Sequence, residues 1–85
     1  MGSDIPDRDD CVRTAADLGR LIRARRKALQ VDQADLAGFA GAGVRFLSEL
    51  ERGKTTAHIG KVLAVLDALG LEIAVRSKRG GSDGR

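Results

Sequence analysis

The tripeptide Gly41-Ala42-Gly43 limits what this chain can fold into more than any other feature. Before it, Asp32 is a capping residue with a second Asp three positions on, and Leu36, Ala37 and Ala40 recur at helical spacing. After it, "VRFLSELERGK" at 44–54 repeats the helical pattern and stops at Gly53. Glycine is costly inside a helix and permits positive φ, so one continuous helix through this region is disfavoured. The expected outcome is two short helices, 33–40 and about 44–52, meeting at a three-residue corner, with Gly53 at C′.

Two short helices with such a corner make the helix-turn-helix motif, and they need further helices to cover their apolar faces. Thr14 can cap a first helix at about 15–29, with Asp17 completing an approximate capping box and Leu18, Leu21, Ile22, Ala28 and Leu29 at helical spacing. A fourth helix is expected at about 58–69, marked by Ile59, Val62, Leu63, Leu66 and Leu69 and ended by Gly70. The period then changes: Leu71, Ile73 and Val75 alternate with polar or small residues, which is strand patterning over 71–76. Residues 1–12 are expected to be a flexible acidic arm, 13–70 the helix-turn-helix domain, and 77–85 a disordered basic tail.

Composition narrows the function. The chain has 85 residues, enough for one core. It lacks Trp and Tyr and has only Phe39 and Phe46, so a base-stacking platform for single strands is not expected. Net charge is +3, but residues 1–10 hold four Asp and one Arg, leaving +6 on the other 75. Five cations fall between Arg20 and Lys27, a lean toward polyanions that a solvated helix face would equally produce. Cys11 and His58 are the single residues of their kinds and lie on opposite sides of the motif, so neither a triad nor a metal cluster is expected from His and Cys. The reading is therefore no enzyme, no cofactor and no metal. The lone cysteine and the lack of any apolar run near 18 residues fit a cytoplasmic chain without membrane contact.

The third helix carries the functional argument. With Leu47 at zero on a helical wheel, Leu50 lies about 60° away and Phe46 about 100° away on the same side, so these pack inward. Ser48, Arg52, Arg45 and Glu49 fall at about 100°, 140°, 160° and 200°, one continuous polar face. Such a face suits a major groove: Arg reads guanine, Glu accepts from cytosine N4, and Val44 can meet a thymine methyl. Gln33 can reach an adenine edge or a phosphate. Arg52, Lys54, Thr55 and Thr56 are candidates for phosphate contacts. Glu51 falls near 40°, beside the apolar stripe, where an unpaired carboxylate is costly. The "RARRK" of the first helix supplies partners, Arg26 foremost; the alternative is a Glu51 that reaches solvent past the helix end.

The stretch "DQADLAGFAGAGVRFLSELERGK" resembles the Cro/lambda-repressor type of helix-turn-helix, and the likeness spans about residues 18–70. The resemblance implies an all-α domain of four to five helices with base contacts on Gln33, Val44, Arg45 and Glu49. It further implies phosphate contacts around Lys54 to Thr56 and a structural ion pair between Arg26 and Glu51. Phe46 and Gly43 depart from the family pattern, which usually has a small hydroxyl residue and a Ser or Thr cap there. Together with "KVLAVLDALGLEIAV", "VRTAADLGRLIRARRKALQ" is similar to the HipB-type antitoxins. That likeness implies a homodimer joined by a short C-terminal β-strand (Leu71, Ile73, Val75), an autorepressed operon and a HipA-like serine/threonine kinase toxin as partner. A lone strand has unpaired N–H and C=O groups, and its own copy in a second chain is the simplest mate.

The leading expectation is thus a homodimeric, sequence-specific repressor of a palindromic double-stranded operator, serving as an antitoxin. The alternatives are a free-standing or phage-type repressor without a toxin, and a protein–protein interaction module using the basic first helix.

Overall fold

The computed structural model describes residues 11–78. The expected arm at 1–12 and tail at 77–85 therefore lie almost wholly outside the described residues. Within them the chain forms four helices: α1 (Ala15–Ala28), α2 (Gln33–Ala40), α3 (Val44–Glu51) and α4 (Ile59–Ala68).

Local chemistry explains the boundaries. Thr14 caps α1 by accepting from the Asp17 N–H at 3.0 Å, and Asp32 caps α2 by accepting from the Asp35 N–H at 2.8 Å. Asp17 also accepts from the Arg13 N–H at 3.1 Å, so the reciprocal half of the box reaches one residue further back than a capping box does. Gly41 ends α2 at φ 69°, and the Ala42 N–H returns to the Ala37 carbonyl. Gly43 precedes α3 with extended backbone and offers no side-chain cap. Gly53 follows α3 at φ 90°, and a Cβ there would lie 3.0 Å from the Ala16 Cα, so the turn needs glycine on two counts.

Four boundaries correct the expectation, one of them the end of α4 at Ala68 with Leu69 as its C-cap. α1 ends at Ala28, with Leu29 as C-cap and Gln30 at φ 60°, a left-handed stop that no glycine announced. α3 ends at Glu51, with Arg52 as its C-cap. His58 is not a first-turn residue of α4: it is the N-cap, its Nδ1 accepting from the Lys61 N–H at 3.3 Å.

Ile22, Leu36, Ala37, Leu47, Leu50, Val62, Val65, Leu66 and Leu69 form one core. α2 packs on α4, α1 on α3, and α2 on α3. Not every apolar residue at helical spacing joins the core. Leu29, beyond the end of α1, and Ile59, in the first turn of α4, are 45% and 63% exposed, and Leu63 is also exposed. Val62, Val65, Leu66 and Leu69 form the inward side of α4 instead.

Residues 71–77 form neither helix nor strand in the single chain. A strand is defined by its ladder, and none of the described residues supplies this segment with one. Leu71 is half-buried against the core, whereas Ile73 and Val75 are 52% and 93% exposed.

Candidate nucleic-acid interface

The placement of α3 follows from three contacts on its inner side. Leu47 and Leu50 are 0% and 2% exposed, locking the helix roll. α1 meets the C-terminal end of α3 at Gly19, where a Cβ would stand 2.5 Å from the Leu50 carbonyl oxygen and 2.7 Å from that of Glu51. Only a residue without a side chain lets the two backbones approach so closely.

The third contact is a buried ion pair. Arg26 donates from Nε to Glu51 Oε2 at 2.6 Å and from Nη2 to Oε1 at 3.0 Å, a bidentate fork. Its Nη1 donates to the Val31 carbonyl at 2.9 Å, holding the link between α1 and α2. The hydrogen bonds to Glu51 are the main reason the guanidinium's pKa is raised further, so Arg26 is charged at every working pH. Gln33 Nε2 donates to Glu51 Oε1 at 3.0 Å. Arg26 from α1 and Gln33 from α2 thus converge on the carboxylate that α3 supplies, while Arg26 also holds the α1–α2 link.

The outward side carries the other group. The Arg45 side chain is 91% exposed, and its Nε contacts Glu49 Oε2 at 3.4 Å one turn on. Lys54 Nζ, beyond the helix end, contacts Glu49 Oε1 at 3.1 Å. Glu49 therefore lies between two cations, and its pKa is lowered, first by the hydrogen bond from Lys54. Arg52 Nη1 donates to Ser48 Oγ at 2.6 Å. Val44, Arg45, Arg52, Lys54, Thr55 and Thr56 are exposed, and Ser48 and Glu49 are half-exposed. Glu49, Arg52, Gly53 and Lys54 line a shallow, open depression at the end of the helix.

This is the geometry of a rod clamped by one side and presenting charges on the other. A family model described as a helix-turn-helix domain matches residues 17–78, from the first turn of α1 through the segment after α4. The chain belongs to the helix-turn-helix family. It is also 52% identical over 64 residues to a protein of Sinorhizobium fredii (strain NBRC 101917 / NGR234) named as the uncharacterized HTH-type transcriptional regulator y4mF. That likeness covers 75% of this chain and 84% of the relative.

Within the helix-turn-helix, the residues expected to meet DNA do not all stand alike. Val44, Arg45, Ser48, Glu49, Arg52, Lys54, Thr55 and Thr56 share the surface of α3 and the turn after it. Gln33 is half-buried and commits one amide hydrogen to Glu51, so the motif uses it inward as well.

Two contributors escaped the sequence reading. Gly19 had a signal: a glycine inside an otherwise strong helical pattern marks a close approach. Arg25, whose Nε donates to the Leu69 carbonyl at 3.0 Å and so satisfies the C-terminal end of α4, had none, because that contact spans 44 positions.

Proposed function

We propose that this helix-turn-helix chain is a sequence-specific DNA-binding transcriptional regulator that acts as a homodimer and represses by occupying a palindromic site. The observation that carries the reading is the division of α3. Leu47 and Leu50 are buried, while Arg45, Glu49 and Arg52 stand on the other side with Lys54, Thr55 and Thr56 following. An eight-residue helix with that division fits a major groove, and the hydroxyls and cation after it suit the flanking phosphates.

Homodimerisation is supported by the segment after α4. Ile73 and Val75 are exposed apolar residues at alternate positions, in a stretch with neither helix nor strand of its own. Pairing it with the same segment of a second chain would form a ladder and cover both side chains. Two recognition helices would then lie about one helical turn apart on the duplex, reading a two-fold site.

Selection from a random duplex pool tests this directly. A regulator of this kind enriches a palindromic consensus and, at about 150 mM salt, binds it on the order of a thousand-fold or more tighter than a scrambled duplex. Recovery of no consensus, with equal affinity for all duplexes, refutes the proposal. The likeness to HipB-type antitoxins extends the reading to an autorepressing antitoxin with a kinase toxin as partner. A neighbouring kinase-like gene whose product co-purifies with this chain supports that extension, and an isolated gene counts against it.

A further inference from the structure

We propose that Glu49 is an internal counter-ion that occupies Arg45 and Lys54 until a cytosine edge takes its place, and so makes the protein discriminate against random DNA. This rests on the DNA-binding reading above and assigns the means of its specificity.

The geometry is that of a three-member chain. One carboxylate oxygen faces Lys54 and the other faces Arg45, at 3.1 and 3.4 Å. The two cations come from opposite ends, the first turn of α3 and the turn after it, and the acid lies between them. In the free protein the triplet presents a net charge of one, not two. A phosphate approaching Arg45 or Lys54 meets a carboxylate already in place, and its attraction to the cations is offset by repulsion from Glu49.

This is costly on random sequence. Non-specific affinity comes almost wholly from cations that neutralise phosphates and release counterions. A cation that is already neutralised internally contributes less to that release. Cytosine offers compensation, because its N4 amino group donates in the major groove to an accepting carboxylate. Lys54 and Arg45 can then turn to phosphate and to guanine without leaving Glu49 unsatisfied. The triplet makes the chain reluctant on most sequences and permits close docking on one.

The test compares wild type with Glu49→Gln and with Asp67→Asn, an exposed carboxylate on α4 outside the triplet. Each variant removes one negative charge, so only position distinguishes them. Binding to a random-sequence duplex is followed by fluorescence anisotropy across a salt series, and each protein is put through selection from the random pool. Glu49→Gln is expected to tighten random-duplex binding by roughly three- to ten-fold and to steepen the salt slope by about one. Its consensus should lose cytosine at one position per half-site, while Asp67→Asn should stay close to wild type in both measures. Unchanged random-duplex affinity in Glu49→Gln, or an equal gain in Asp67→Asn, overturns the inference. If wild type selects no consensus, the regulator reading has failed, and the random-duplex comparison still decides whether the carboxylate restrains the cations.

Discussion

The convergence of Arg26 and Gln33 on Glu51, with Arg26 also bound to the Val31 carbonyl, makes a quantitative prediction about stability. The Arg26 and Glu51 side chains are 10% and 3% exposed, and their fork is bidentate. Removing one member of such a pair leaves a desolvated charge, at a cost of about 3–5 kcal/mol. Domains of this size hold only about 4–13 kcal/mol in total, so Glu51→Gln should consume a large part of the margin. For a domain of 60–100 residues each kcal/mol moves the melting temperature by about 4–8 °C, so a fall of at least about 12 °C is expected. Arg26→Met should cost a similar amount. The double variant Arg26→Met/Glu51→Leu removes both charges and should be more stable than either single change. Urea unfolding followed by circular dichroism, at one fixed protein concentration so that the proposed dimerisation weighs equally on all four proteins, gives the four free energies. The loss should persist in 1 M salt, since a buried pair is little screened. A cost below about 1 kcal/mol for Glu51→Gln, or additive single changes, would refute the view that this pair sets the junction of α1, α2 and α3.

Further outcomes follow from the same geometry. Gly19→Ala should destabilise the fold, because the overpacking cost of about 1–3 kcal/mol exceeds the helix-propensity gain of up to about 1. Gly38→Ala, with nothing within 4 Å of the new Cβ, should raise the melting temperature, and a stabilised Gly19→Ala would sink the close-approach account. Arg45→Ala should cost about 1–3 kcal/mol on the selected site and relax one base pair, whereas Lys54→Ala should weaken binding without relaxing any base pair and flatten the salt slope on the selected site by about one; the same relaxed consensus in both variants would overturn that division. Ile73→Asp should leave a monomer in sedimentation, and a persistent dimer would argue against pairing through 71–76. Asp17 and Glu49 have lowered pKa values, the first mainly through the Arg13 N–H and the second mainly through Lys54. Their contribution is present above the unfolded carboxylate range and lost as pH falls through the lower folded values, so thermal stability should decline below about pH 4. Asp17→Asn with Glu49→Gln should soften that decline, and an unaltered acid limb would count against it.

How much of this was legible in the sequence depended on the range of the interaction. Thr14 with Asp17, Asp32 with Asp35, and the stops at Gly41 and Gly53 are contacts within a few residues, and spacing alone exposes them. The roll of α3 was legible for a different reason: Leu47 and Leu50 define a face that leaves Glu51 nowhere but the inner border. The stop after α1 was not, because Gln30 adopts a conformation usually left to glycine or Asn. Nor was Gln33's inward hydrogen bond, which exists only once α2 and α3 have met. The exposure of Ile59 escaped because periodicity describes a face and says nothing about where the core ends along it.

The distribution of contacts along α3 shows how the fold positions its outward face. Apart from the burial of Leu47, the constraints act on the second half of the helix and the turn after it: Gly19 against the Leu50 and Glu51 carbonyls, Arg26 on the Glu51 carboxylate, and Gly53 against Ala16. The first turn has no side-chain cap, and Val44 and Arg45 there are exposed. The end proposed to read bases is therefore held by Leu47 and through a rigid helix fastened at its far end. A change at Gly19 or Glu51 that merely tilts α3 should then abolish discrimination between duplexes without removing any of the residues proposed to touch DNA. In a Gly19→Ala protein that is still folded at 15 °C, non-specific binding should survive because Arg45, Arg52 and Lys54 are intact, while the selected site loses its advantage. Retention of full discrimination in that protein would mean that α3 is positioned by its core leucines alone.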